Sequence, residues 1–103
     1  MTETQEEIVT FLRHTYAEQL RLAHDLGFAL TTAREDLGIP EGEAAAQARS
    51  SMHAAQTRAR FLEETVVAYL GTAGPTGQIA DQQLRLLALE FMDCRGYDSA
   101  WMS

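Results

Sequence analysis

The sequence contains no lysine and no asparagine, and all eight of its basic residues are arginine. This bias indicates a GC-rich genome and says nothing about mechanism. The arginines do not offset the acidic residues, so the formal net charge is −7. Such a surplus disfavours the counterion release that drives most nucleic-acid binding, and it disfavours an anionic membrane surface. We therefore expect no direct nucleic-acid partner and no membrane partner, but a protein partner with a basic surface.

Cysteine and long apolar runs are also scarce. Cys94 is the single cysteine, which excludes an internal disulfide and agrees with a reducing compartment. No uninterrupted apolar run approaches the roughly 20 residues that a membrane-spanning helix needs. The start, MTETQEEIVTF, has acidic residues where a secretory signal has basic ones. These features predict a cytoplasmic protein.

The usual motifs of catalysis and metal binding are missing as well. The sequence has no HxxxH, CxxC or ExxH spacing and no Gly-x-Ser-x-Gly, and its glycine-rich stretch GTAGPTG lacks the lysine of a phosphate loop. His14, His24 and His53 lie off the apolar stripes, which predicts that they are exposed. Cys94 sits where a predicted helix ends, whereas reactive thiolates are favoured where helices begin. We expect no catalytic residue, no metal and no cofactor, and hence no enzymatic activity.

Apolar residues recur at three- and four-residue steps over most of the chain. This period predicts helices over residues 4–36, 41–70 and 78–95, followed by a tail over 96–103. The breaks are the Gly38-Ile39-Pro40 sequence and the GTAGPTG loop. Because the first connection is short, the two long helices should form an antiparallel hairpin. The prediction is a single all-α domain, residues 1–103, with a shorter third helix and an aromatic C-terminal tail.

The aromatic tail is expected to complete the core. A third helix of about 25 Å is half as long as a hairpin of about 50 Å, so it leaves the part of the hairpin near its turn without a third layer. We expect Tyr97 and Trp101 to close the core there, at residues 26–37 and 44–55. The alternative is that these two aromatic residues anchor a partner, because Trp and Tyr are favoured in binding hot spots as well as in cores.

Two further aromatic residues lie away from the apolar stripes. At about 100° per residue, Phe28 and Phe61 fall roughly opposite the faces that their helices turn towards each other. Large apolar residues in such positions favour a second surface, and with Leu86 and Leu89 they predict a symmetric homodimer. The candidate partner-binding residues are Phe28, Phe61, Tyr97 and Trp101.

The C-terminal stretch LRLLALEFMDCRGYDSAW resembles the signature of a family of small uncharacterised actinobacterial and actinobacteriophage proteins. In that signature a leucine-rich helix precedes an aromatic residue, Asp, a His-Pro pair, Gly-Tyr and a final Trp. EEIVTFLRHTYAEQLRLA and AAQTRARFLEETVVAY are similar to the family's first and middle helices. Here Cys94 and Arg95 replace the His-Pro pair, and a tryptophan-containing insert is missing. The resemblance implies a provenance and no activity. The residues that fit the signature are Leu84, Arg85, Leu86, Leu87, Ala88, Leu89, Phe91, Asp93, Gly96, Tyr97 and Trp101.

The sequence therefore favours a non-enzymatic protein-binding or adaptor protein from an actinobacterium or its phage, in which an acidic surface steers the chain to a basic partner. Two alternatives stay open at this point. An acidic mimic of nucleic acid would inhibit a basic protein, and it would need carboxylates in rows at phosphate-like spacing. A small enzyme accessory subunit, or a small enzyme that uses Cys94 or a carboxylate, is the other alternative.

Overall fold

The fold is all-α, as predicted. The computed structural model describes residues 1–37 and 41–102; the predicted break at 38–40 lies outside this range. The structure is 81% helical, and it has no strand within the described residues. Helix α1 spans Glu3–Leu37, α2 spans Glu41–Phe61 and α3 spans Pro75–Leu89. Among the described helices, none combines the length and the apolar character needed to cross a membrane.

Helix α1 begins at a capping box. The Thr2 hydroxyl accepts a hydrogen bond from the Gln5 backbone N–H at 3.1 Å, and the Gln5 side-chain carbonyl accepts one from the Thr2 backbone N–H at 2.9 Å. Two N–H groups at the helix start are thereby satisfied reciprocally. Glu3 and Glu6 add negative charge in the first turn, where it stabilises the helix dipole. The helix start is therefore encoded locally by the sequence TETQ.

Helix α2 ends nine residues before the predicted helix does. It is continued by a π-helical segment, Leu62–Val66, and a 3₁₀ turn, Val67–Tyr69. The Thr65 hydroxyl donates to the Phe61 carbonyl at 2.6 Å and so competes for an acceptor of the α-helical ladder. The Val67 N–H donates to the Leu62 carbonyl five residues back. The β-branched run Thr65-Val66-Val67 adds to this effect, because such residues lower helix propensity.

Helix α3 begins three residues earlier and ends six residues earlier than predicted. Gly74 is its N-cap and Pro75 occupies the first turn, where the missing N–H of proline has no cost. Gly77, predicted to lie in the loop, lies inside the helix. A Cβ atom there would sit 1.8 Å from the Thr72 carbonyl oxygen, so the close approach of the loop backbone requires glycine. After Leu89 the chain forms successive turns and then a 3₁₀ turn, Ser99–Met102.

Contacts divide the chain into two compact units, and its organisation as a single domain stays a prediction. The first, which we call the terminal unit, comprises Met1–Thr15 and Arg60–Ser103. Its described core contains large side chains with at most 2% of their surface exposed, contributed by both ends of the chain. These residues are Ile8, Val9, Leu12, Leu62, Val66 and Leu84.

The second unit, which we call the hairpin unit, comprises Tyr16–Ala59. Its helices are the second part of α1 and most of α2, which run antiparallel. Ala23 on α1 and Ala55 on α2 are buried, whereas Leu22 and Leu26 are about half exposed. Side chains from both helices line an open groove of about 330 Å³, which includes Leu22, Leu26, Ala54 and Ala55.

Candidate binding groove

The aromatic tail packs against the first part of α1. The Phe11 ring lies 6.2 Å from that of Tyr97 and 5.3 Å from that of Trp101, and the Tyr97 and Trp101 rings are also 5.3 Å apart, measured between centroids. Phe91 completes the cluster at 6.4 Å from Phe11. Trp101 retains only 5% of its surface exposed. Tyr97 and Trp101 therefore pack within a core, but not at residues 26–37 and 44–55, where the sequence predicts them.

The difference follows from the early end of α3. Because the helix stops at Leu89, the turns over residues 90–96 redirect the chain before the tail begins. Gly96, with φ of 99°, adopts a backbone conformation that favours glycine, and a Cβ atom there would lie 3.4 Å from the Phe11 ring. A helix continuing to residue 95 would have carried the tail in another direction.

A hydrogen-bond network ties the tail to both helices of the terminal unit. The Gln5 amide donates to Asp81 at 2.9 Å, and Arg85 donates to the other carboxylate oxygen of Asp81 at 3.1 Å. Arg85 also donates to the Trp101 backbone carbonyl at 3.4 Å. These partly buried contacts join α1, α3 and the tail, and they hold Trp101 beside Phe11.

An acidic groove of about 620 Å³ lies where the tail meets α1. On α1 its lining residues follow three- and four-residue steps, so they share one face of the helix. The tail supplies the opposite side, and Phe11 and Trp101 contribute aromatic surface to the lining. The groove is lined by Glu3, Glu6, Glu7, Thr10, Phe11, His14, Gly96, Asp98 and Trp101.

The carboxylates of the acidic groove are not neutralised by arginine. Within residues 1–37 and 41–102, Glu3, Glu6 and Glu7 form no ion pair. The Asp98 carboxylate accepts a hydrogen bond from the Ala100 N–H at 2.9 Å, which orients it without neutralising it. The groove therefore concentrates negative charge beside aromatic surface.

Other carboxylates of the chain do have arginine partners. Arg13 donates to both carboxylate oxygens of Glu63, at 2.5 and 2.9 Å, and this interaction lowers the pKa of Glu63 below its ordinary value. Arg60 pairs with Glu64 at 3.3 Å, as the i, i+4 spacing predicts. The terminal unit as a whole has nine acidic and four basic residues, and the hairpin unit has six and four. The acidic character of the protein thus belongs mainly to the terminal unit.

The sequence-predicted contact residues do not form one site. Tyr97 and Trp101 lie together, with Tyr97 half-buried. Phe28 belongs to the hairpin unit and is 71% exposed, and Phe61 belongs to the terminal unit and is 41% exposed. Neither Phe28 nor Phe61 lines the acidic groove. The partner-binding role of these four residues stays a prediction.

The sequence alone does not reveal the groove, because an acidic pair such as Glu6 and Glu7 is typical of any solvated helix face. Both residues are exposed, but the opposite side of the groove comes from Asp98, some 90 residues later in the chain. The available signal was local: Glu3, Glu7 and Phe11 follow one another at four-residue steps. Such spacing places acidic and aromatic side chains on the same helix face.

The remaining candidates for chemistry are dispersed. His14, His24 and His53 are exposed, as predicted, and His14 lies at the edge of the acidic groove. Cys94 is exposed in the turns after α3. A search of the described part of the chain finds no group of three or more His, Cys, Asp or Glu side chains arranged to hold a metal ion.

Comparisons with known proteins give no match: no protein-family model, no curated protein and no solved structure is similar enough to this chain to be assigned. The resemblance of the C-terminal stretch to the actinobacterial and phage family therefore stays a prediction. The geometry of the acidic groove is consequently the basis for a functional proposal.

Proposed function

We propose that this chain is a non-enzymatic protein-binding or adaptor protein that binds a basic segment of its partner in the acidic groove. The observation that carries the proposal is the set of carboxylates without ion pairs beside Phe11 and Trp101. Concentrated negative charge attracts a basic partner over distance, and contact with the aromatic surface stabilises the complex.

The dimensions of the groove suit a short segment of chain. From Glu3 to His14 the α1 face is about 16 Å long at ~1.5 Å per residue, which matches about five residues of extended peptide. The groove is wide open to solvent, so a bound segment would lie along its surface rather than be enclosed. A short extended segment matches the length of this face.

Several wider aspects of the proposal rest on the sequence. The net charge of −7 favours a protein partner over nucleic acid or an anionic membrane. We propose a cytoplasmic location, with which the exposed free thiol of Cys94 is consistent. The proposed actinobacterial or phage origin rests on the C-terminal resemblance alone.

Binding of a basic peptide tests the proposal directly. The acetylated and amidated nonapeptide (Ala-Leu-Arg)₃ is titrated into the protein by calorimetry, with (Ala-Leu-Glu)₃ as the acidic control. The double variant Glu7→Gln/Asp98→Asn should weaken binding about tenfold, whereas Glu43→Gln/Asp93→Asn should leave it nearly unchanged. Glu43 and Asp93 are exposed and lie outside the groove. Each double variant replaces one glutamate and one aspartate by amides, so both change the net charge equally. Equal affinity for the two variants would contradict the proposal.

Self-association is a second candidate, favoured by the exposure of Phe28. Phe28 has 71% of its surface in solvent. Burying this surface against a second copy would stabilise the dimer by roughly 25 cal/mol per Å² of apolar area. We propose a homodimer in which Phe28 contacts a second copy of the chain.

A further inference from the structure

We infer that the acidic groove selects arginine over lysine as the anchoring residue of its partner. This inference rests on the proposed function and names the chemistry of the bound side chain.

The aromatic surface favours a planar cation. Phe11 is part-exposed and lines the groove, and its ring is held in place by Phe91, Tyr97 and Trp101 at centroid distances of 5.3 to 6.4 Å. A guanidinium stacks on an aromatic ring and is weakly hydrated, whereas an ammonium is compact and strongly hydrated. The immobilised Phe11 ring therefore provides more stabilisation for arginine.

The carboxylates favour the same side chain. Glu3 and Glu7 are four residues apart on α1, which places their Cβ atoms about 6 Å from each other, and Asp98 lies across the groove. Asp98 is oriented by its hydrogen bond from the Ala100 N–H. A guanidinium offers five N–H donors in a fixed plane and can serve acceptors on both sides, whereas an ammonium has three donors around a point.

The burial of Trp101 argues against an aromatic cage for a methylated lysine. Such a cage encloses a quaternary ammonium with several open aromatic faces. Trp101 is 5% exposed and Tyr97 does not line the groove, so Phe11 is the main ring that a ligand can reach there. One accessible ring with carboxylates on both sides suits stacking rather than enclosure.

The single tryptophan provides the readout for a test. The fluorescence of Trp101 is followed during titration with (Ala-Leu-Arg)₃ and with (Ala-Leu-Lys)₃, which have equal charge and no aromatic residue. We expect the arginine peptide to bind about fivefold more tightly. Equal affinity, or tighter binding of the lysine peptide or its trimethyl-lysine form, would overturn the inference but leave the proposed function standing. If neither peptide binds, both the inference and the proposed function fail.

Variants separate stacking from charge. Phe11→Leu should lower the affinity ratio of the two peptides by removing the stacking surface, whereas Glu7→Gln should weaken both peptides, the arginine peptide by the larger factor. A ratio that is unchanged in a folded Phe11→Leu protein contradicts the stacking argument. Thermal unfolding monitored by circular dichroism shows whether the Phe11→Leu protein folds. If it does not fold, the affinity ratio of the two peptides for the unaltered protein decides the inference.

Discussion

The two units of this protein differ in how they bury apolar surface. The terminal unit encloses large side chains such as Ile8, Leu12 and Leu84, which are fully buried. In the hairpin unit, the described side chains that are most buried after Tyr16 are the small Ala23 and Ala55, while Leu22 is 53% exposed. Helix α1 belongs to both units. Leu12 and Leu22, which lie within three turns of each other on this helix, therefore differ in exposure.

The difference follows from the number of layers in each unit. The terminal unit combines α1, the end of α2, α3 and the tail, whereas the described hairpin unit consists of two helices. A pair of helices leaves much of its apolar surface in water unless a further element covers it. We therefore expect the terminal unit to supply most of the free energy of folding, and the hairpin unit to open more readily.

The largest expected effect comes from a matched pair of leucines on α1. Leu12→Ala should lower the free energy of unfolding by about 3 kcal/mol, because Leu12 is 0% exposed, while Leu22→Ala should lower it by less than about 1 kcal/mol. Urea denaturation followed by circular dichroism measures both. Equal losses for the two variants would mean that the hairpin unit is as well packed as the terminal unit.

The exposed phenylalanine of the hairpin unit should affect association rather than stability. Sedimentation equilibrium at micromolar concentration should give twice the monomer mass of 11.4 kDa. Phe28→Ala should weaken the dimer by more than about 1 kcal/mol and leave the unfolding of the monomer nearly unchanged. Phe61→Ala is the matched variant in the terminal unit. A mass that stays at that of the monomer at all concentrations and salt strengths would exclude the dimer.

A smaller effect is expected when the ion pair between Arg13 and Glu63 is removed. The size of this effect shows how much charge contributes to the stability of the terminal unit beside apolar packing. Because the pKa of Glu63 is lowered in the folded state, its stabilising contribution is present above the ordinary glutamate pKa of about 4.3 and is lost as the pH falls through the lowered value. Both side chains are about half exposed, so Arg13→Gln should cost ~0.2–1 kcal/mol at neutral pH.

The pH series provides the control for this ion pair. Urea denaturation of both proteins should show a difference in unfolding free energy that narrows below about pH 4.3. A difference that persists once Glu63 is protonated would assign the effect to packing of the Arg13 side chain instead.

The smallest expected effect concerns Cys94, which is exposed and lies outside the core of the terminal unit. Alkylation by iodoacetamide at neutral pH should proceed no faster than for a short cysteine-containing peptide, and it should not change the unfolding midpoint. A faster reaction would show that the turns after α3 activate the thiol, and a shifted midpoint would show that they contribute to the core.

Sequence patterns predicted the elements whose causes are local. The start of α1 was placed within one residue, because the apolar stripe and the acidic first turn begin there, and the exposure of Phe28 follows from helix geometry alone. The change from α-helical to π-helical and 3₁₀ hydrogen bonding after Phe61 was not predicted, and the Thr65 hydroxyl, which competes for a backbone acceptor, contributes to it. The position of the tail and the acidic groove depend on contacts between Phe11 and residues near the C-terminus, and periodicity contains no information about such pairs.

The division of the terminal unit between the two ends of the chain also affects how the protein folds during its synthesis. Leu12 is translated some 90 residues before Trp101, an interval of roughly 5–20 s at ordinary elongation rates. During this interval Ile8 and Leu12 lack the partners that bury them in the finished protein. The hairpin unit is continuous in sequence, so all of its residues have been translated well before the C-terminal residues that complete the terminal unit.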